Sequence, residues 1–149
     1  MNTLQGMLLK GLRANIVRYL NLPVGDKRLF REAFFLHIRI WLILLVVHFK
    51  NIPGLFEGPG NESDESCSQE LEKIRAAVIR ASGLFPFRNR CLVSSLAARK
   101  MLTRRNIKSK ISFGVSKIPG GKFSAHAWID SDGFEIVEQS GDYKVIFFF

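Results

Sequence analysis

The run Arg88-Asn89-Arg90-Cys91-Leu92-Val93-Ser94-Ser95-Leu96-Ala97-Ala98 organises the rest of the chain. A turn rich in proline and arginine gives way at Cys91 to good helix formers that are apolar or small on nearly every side. A helix with that profile passes through the middle of a core rather than along a surface. Its second half turns basic (Arg99, Lys100, Arg104, Arg105), as suits an end that returns to water at its own negative dipole terminus. Asn106 can close it in the left-handed conformation. A thiol at the start of such a helix faces unpaired backbone N–H groups and the positive end of the dipole, and both favour a thiolate. Arg88 and Arg90 add to that field. Taken alone, a cysteine in this place serves as a small buried hydrophobe as readily as a nucleophile.

Downstream the period changes from helix to strand. Lys110 to Val115 alternates at period two, and Pro119-Gly120-Gly121 makes a turn. Phe123 to Asp130 reads as a second strand, Phe134 to Gln139 as a third, and Tyr143 to Phe149 as a fourth, apolar enough for a core strand. Helices followed by antiparallel strands place the chain in the α+β class, with a central helix packed on an antiparallel sheet.

Ser131-Asp132-Gly133 is the strongest hairpin signal, because glycine tolerates the positive φ that such a turn requires. A three-residue loop with a bulge at Gly133 pairs Asp130 with Phe134 and sets His126 opposite Glu138. A two-residue loop sets Gln139 opposite His126 instead. Directly opposed side chains lie on one face with Cβ atoms about 4.5–5.5 Å apart. Glu138 would then accept a hydrogen bond from one ring nitrogen of His126 and leave the other for a thiol. Asp130 and Gln139 are the other residues able to orient the imidazole, whereas Asp132 is explained by turn chemistry. A thiol at the start of a central helix, an imidazole on a strand and an acid one strand further follow nucleophile–base–orienter logic, with the backbone N–H of Cys91 facing a developing oxyanion. The plain alternative for His126 is a histidine half-buried on a strand beside Trp128.

Upstream, Leu8, Leu12, Ile16 and Leu20 give Leu4 to Leu22 the spacing of a basic amphipathic helix, ended by Asn21 to Gly25. Asp26 is a plausible N-cap for a second helix whose most apolar stretch, Ala33 to Phe49, is slightly short for a membrane span. Arg39 inside it argues further against insertion, since a central arginine costs about 2.5–3.5 kcal/mol. The expectation is a helix buried against the rest of the protein; the alternative is peripheral membrane contact at a bilayer surface. His37 and His48 read as packing residues or amphipathic tips of that helix. Pro53 to Glu65 is a loop by composition, and Ser66 with Gln69 forms a capping-box pattern for a helix burying Leu71, Ile74, Val78 and Ala81. Cys67 shares that helix start, but Glu65, Glu70 and Glu72 disfavour a thiolate there. The organisation expected is an N-terminal helical segment over 1–60 and a catalytic domain over 61–149.

Composition bounds the function. With 47% hydrophobic and 23% charged residues the 149-residue chain is globular rather than disordered. Two cysteines are too few for a disulfide scaffold, and the scattered histidines offer no zinc spacing, so a reducing cytoplasm is expected and no metal or other cofactor. Met1-Asn2-Thr3-Leu4 lacks a signal-peptide layout. A net charge of +9 points to acidic partners, and no acidic residue occurs from Phe85 through Lys110. No nucleic-acid motif accompanies that charge, so nucleic acid is not expected as a partner.

Cys91-Leu92-Val93-Ser94-Ser95-Leu96-Ala97, then Ile111-Ser112-Phe113-Gly114-Val115, then Phe123-Ser124-Ala125-His126-Ala127-Trp128-Ile129 and Asp132-Gly133 together resemble a known pattern. It is that of the transglutaminase-like cysteine protease of lasso-peptide biosynthesis, which removes the leader from a precursor peptide in bacteria. The resemblance covers Glu70 to about Ser140; the Ala125-to-Trp128 motif alone is shared with transglutaminase-fold proteins generally. It implies a transglutaminase-like, papain-like core with Cys91 as nucleophile and His126 as general base. The family's third residue, usually an aspartate, falls on Glu138, a departure in length. The resemblance further implies a bacterial cytoplasmic enzyme that is the stand-alone protease half. Its partners would be a lasso precursor peptide, a separate leader-binding protein and an ATP-using macrolactam cyclase. Two other readings remain open: transglutaminase-like acyl transfer to an amine, and a non-catalytic basic module binding nucleic acid or anionic membrane.

Overall fold

The computed structural model describes residues 19–56, 68–85, 89–117 and 121–149. Most of the expected helix from Leu4, the later part of the Pro53–Glu65 loop, Ser66, Cys67, Arg88 and most of the Pro119-Gly120-Gly121 turn lie outside the described residues. Helix α1 spans Val24–Val46 and is followed by a 3-10 turn, Phe49–Asn51, and a short helix α2, Ile52–Phe56. Helices α3 (Ser68–Ser82) and α4 (Arg90–Thr103) precede strands β1 (Lys110–Lys117), β2 (Phe123–Ser131), β3 (Phe134–Val137) and β4 (Lys144–Phe148). The class is α+β, as expected.

Helix α4 is the axis of the molecule. Val93, Leu96, Ala97, Ala98, Met101 and Leu102 are wholly buried, and so is Ser95. It packs against α1 and α3 on one side and against the sheet on the other. Truncating a side chain such as Leu96 to alanine costs about 2–5 kcal/mol at a site of this kind. Helix α3 buries Leu71, Ile74, Val78 and Ala81, the face its spacing predicts. Asn106 adopts φ 56° where α4 ends, the left-handed residue the sequence requires there.

Helix α1 begins directly behind Pro23, whose carbonyl accepts the Lys27 N–H, so Asp26 lies in the first turn rather than at the N-cap. There its charge still complements the helix dipole. Ala33, Leu36, His37 and Ile40 form the buried stripe of α1 and join the same core as α4 and the sheet. Phe35, Leu42, Leu45 and Val46 are exposed on the other faces. Among the described residues no helix is long and apolar enough to cross a membrane. Residues 53–56, expected as loop, instead continue a helical turn, because Ile52 and Phe56, one turn apart, both dock into the core. Pro53 is tolerated at the first helical positions, where its missing N–H has no partner to lose.

The sheet is antiparallel with strand order β3-β2-β1-β4. Strand β4 departs from expectation: all five of its residues are exposed, because it pairs only with β1 at the edge of the sheet away from β3, where α3 and α4 pack. Apolarity alone does not separate an edge strand from an interior one. The hairpin starts as the two-residue alternative and leaves its register only at a bulge. Asp132 (φ 48°) and Gly133 (φ 85°) form a two-residue turn with both residues left-handed, pairing Ser131 with Phe134 and Asp130 with Glu135. A bulge then slips the ladder so that Ile129 meets Val137. Strand β3 ends there. Neither Glu138 nor Gln139 comes opposite His126 in the ladder.

Candidate active site

Cys91 is the second residue of α4, and its thiol is part-buried. Asn89 precedes the helix with φ −102° and ψ 38°, and its side chain makes no capping bond to the opening turn. Backbone N–H groups in that turn are therefore available to an oxygen that gains charge beside the sulfur. Arg90, exposed at the same turn, places a cation at the rim.

His126 enters from β2. Across the sheet it pairs with Gly114, and it shares a strand face with Trp128, while Ala127 and Ile129 turn into the core. The imidazole lies against Trp128 (centroids 6.1 Å apart, 17° between planes) and Tyr143 (5.1 Å, 31°). Gly114 makes this aromatic shelf possible: a Cβ there would come within 2.8 Å of Tyr143 Cβ and 2.9 Å of two ring atoms of Trp128. Beyond the shelf, β3 has run out at Val137, and the chain from Glu138 passes beside the ring. The His126 Nε2–H donates to the main-chain carbonyl of Glu138 at 2.8 Å. A carbonyl oxygen only accepts, so the proton sits on Nε2 and the lone pair is left on Nδ1.

The orienting contact thus comes from Glu138, but from its backbone and not from its carboxylate. That carboxylate pairs with Arg75 of α3. The two-residue turn already takes Glu138 out of direct opposition to His126, and the bulge then ends the ladder at Val137, one residue short of Glu138. Gln139 directs its amide to the Tyr143 carbonyl at 3.5 Å, and Asp130 lies opposite Glu135 in the hairpin.

Cys91 and His126 line one cleft of about 270 Å³, together with Ser94, Ile79, Arg90 and Glu138. Among the described residues no hydrogen bond joins the thiol to the imidazole, a common state for such pairs before substrate closes the geometry. A larger hollow of about 620 Å³ between α1 and α3, lined by Leu22, Phe30 and Leu84, contains neither residue. Chemistry, and not size, selects the smaller one.

The sequence reading missed Ser94, one turn beyond Cys91 on the face that meets the cleft, although i,i+3 spacing from a candidate nucleophile was the available signal. His37, expected as a packing residue or an amphipathic tip, is a packing residue. That ring is 1% exposed, with Nδ1 at 2.7 Å from the Ala33 carbonyl and Nε2 at 3.2 Å from Ser94 Oγ. Burial pushes its pKa down; the Ala33 hydrogen bond opposes this, and the Arg90 charge adds to it. The Arg104-Arg105 pair, part of the case for an anion-binding surface, makes ion pairs with Glu32 at 3.0 and 2.7 Å.

The family profile described as the transglutaminase-like superfamily matches residues 34–147. No curated protein and no solved structure is matched.

Proposed function

The chain belongs to the transglutaminase-like superfamily, and we propose that within it this protein is a cysteine peptidase that cuts the leader from a lasso-peptide precursor. Members of the superfamily are typically cysteine-type enzymes, which supports protease or acyl-transfer chemistry in general. The observation that carries the peptidase reading is the shared cleft. It combines a thiol at the start of a central helix, whose N-cap side chain makes no capping bond, with an imidazole whose Nε2 is committed to Glu138 and whose Nδ1 has no hydrogen-bond partner among the described residues. The narrower leader-peptidase reading rests on the sequence resemblance.

In this mechanism Nδ1 of His126 takes the Cys91 thiol proton, and the thiolate attacks the carbonyl carbon of the last leader residue. The carbonyl electrons move to oxygen, where the opening-turn amides of α4 receive them. Collapse breaks the C–N bond; the departing core amine takes the proton from the imidazolium and leaves a thioester. Water then gives its proton to His126 as its oxygen attacks the thioester. The leader acid departs and the sulfur recovers its proton. A leader-binding protein would deliver the precursor, and a macrolactam cyclase would consume the freed core.

The superfamily assignment equally supports a second outcome at the same thioester, in which an amine replaces water. Mass spectrometry separates the two. The purified chain is incubated with candidate leader–core peptides, with and without a leader-binding protein. Free leader acid and free core are expected from wild type, and a cross-linked product would replace the peptidase by an acyl transferase. Cys91→Ala and His126→Ala should each lower turnover by about 10⁴-fold or more with unchanged circular dichroism. Loss of activity on Cys67→Ala with Cys91→Ala silent would overturn the assignment.

A further inference from the structure

The buried contact between α1 and α4 reaches the cleft. His37 lies 57 residues before Ser94 in sequence, yet its Nε2 is 3.2 Å from the Ser94 hydroxyl oxygen. The direction of that bond is fixed by the ring's other end. Nδ1 stands 2.7 Å from the Ala33 carbonyl, which has no proton to give, so Nδ1 carries the hydrogen. Wholly buried beside Phe85 (centroids 6.0 Å, 8° between planes), the ring is held neutral, because burial disfavours the imidazolium. Nε2 is therefore a bare acceptor, and the Ser94 O–H must donate to it. A helical serine ordinarily turns its hydroxyl back to the preceding turn's carbonyl; here the proton is drawn away from the cleft instead. What Ser94 shows to the cleft is an oxygen with lone pairs only.

We propose that His37 and Ser94 are a positioning pair that sets an acceptor-only hydroxyl one helical turn from Cys91, and that this oxygen binds a backbone N–H of an extended peptide acyl donor. Ser94 touches substrate; His37 acts through it. The proposal rests on the reading of the cleft as the seat of thiolate attack on a peptide. Side chains at i and i+3 of a helix lie about 5–6 Å apart. An extended peptide rises about 3.3 Å per residue, so an oxygen at that distance from the sulfur meets an amide one or two residues from the attacked carbonyl. A site of this kind selects against any acyl donor whose nitrogen at that position lacks hydrogen, proline included, since the buried acceptor is then left unpaired.

The test uses acetyl-tripeptide vinyl sulfones, which label a reactive thiol whatever the natural acceptor, and a set of analogues each carrying one N-methylated amide. Labelling rates of the full chain are read by intact mass. One N-methyl position should slow wild type by about tenfold, the ordinary value of one lost hydrogen bond in a desolvated cleft. At that position Ser94→Ala should respond by less than about twofold and Ser94→Thr, which keeps the hydroxyl, like wild type. His37→Gln, whose amide oxygen can still accept, should retain the discrimination, and His37→Phe should lose it. Nitrogen-15 NMR of His37 supplies a readout independent of labelling: an Nδ1–H tautomer whose Nε2 resonance moves on Ser94→Ala. Equal responses of wild type and Ser94→Ala, or an Nε2–H tautomer, overturn the pair and leave the nucleophile standing. Failure of every probe to label Cys91 defeats the nucleophile itself.

Discussion

His126 donates its Nε2–H to the main-chain carbonyl of Glu138 at 2.8 Å, while the carboxylate of the same residue pairs with Arg75. Backbone geometry, held by the bulge at Ile129 and Asp130, thus supplies the contact that a triad acid would otherwise make.

Replacing the Glu138 side chain should consequently matter little. The Glu138 side chain is 54% exposed, and an exposed ion pair contributes about 0–1 kcal/mol. Glu138→Ala and Glu138→Gln should keep turnover within about fivefold of wild type. A drop of about 10³-fold or more in either would return the carboxylate to the imidazole.

Gly114 should be intolerant of any side chain. A methyl group at this position collides with Trp128 and Tyr143, the two rings that flank His126. Gly114→Ala is expected to cost about 1–3 kcal/mol of stability, as overpacking does. It should also lower turnover beyond what unfolding explains, measured at a temperature where the variant remains folded. Full activity there would show that the aromatic shelf does not position the imidazole.

Buried neutral His37 predicts a loss of stability toward mild acid. Its folded-state pKa lies below the ordinary 6.5, so as pH falls the unfolded chain takes up the proton first. Stability tied to this residue is complete above the unfolded value and is lost progressively as pH drops toward the lower folded value. Denaturation midpoints between pH 8 and 5 should fall below about pH 6.5 in wild type. His37→Gln should flatten that limb, and an unchanged slope would assign the acid response elsewhere.

Glu32 governs a second, more acidic limb. Burial alone would raise its pKa, but hydrogen bonds and charge from Arg105 and Arg104 outweigh this and hold it below the ordinary 4.5. Arg105 also approaches Glu70 at 3.4 Å, so the end of α4 is tied to α1 and α3 together. The stabilisation is present above the unfolded value and disappears as pH falls through the folded one. In Glu32→Gln the decline in melting temperature below about pH 4.5 should be shallower than in wild type. A parallel decline would mean that other carboxylates dominate.

Much of this architecture was legible because it depends on near neighbours. The small and apolar residues after Cys91 mark a central helix, and the buried face of α3 follows from i,i+3 and i,i+4 spacing. Asn106 and Asp132-Gly133 sit where only residues tolerant of positive φ are comfortable. Even the placement of a thiol and an imidazole near each other was readable, through the resemblance that their flanking residues carry.

What the amino-acid sequence determined by itself was the identity and local setting of the groups: a thiol at a helix start, an imidazole on a strand, a tight turn beyond it. Tertiary structure decided which atom meets which. A two-residue turn followed by a bulge set the carbonyl of Glu138, and not its carboxylate, against His126, and packing of α1 on α4 joined His37 to Ser94 across 57 residues. It also left the apolar strand β4 at the sheet's edge. Spacing reports forces that act within a turn or a strand; a bulge, an edge or a contact between distant helices is set only when the whole core closes.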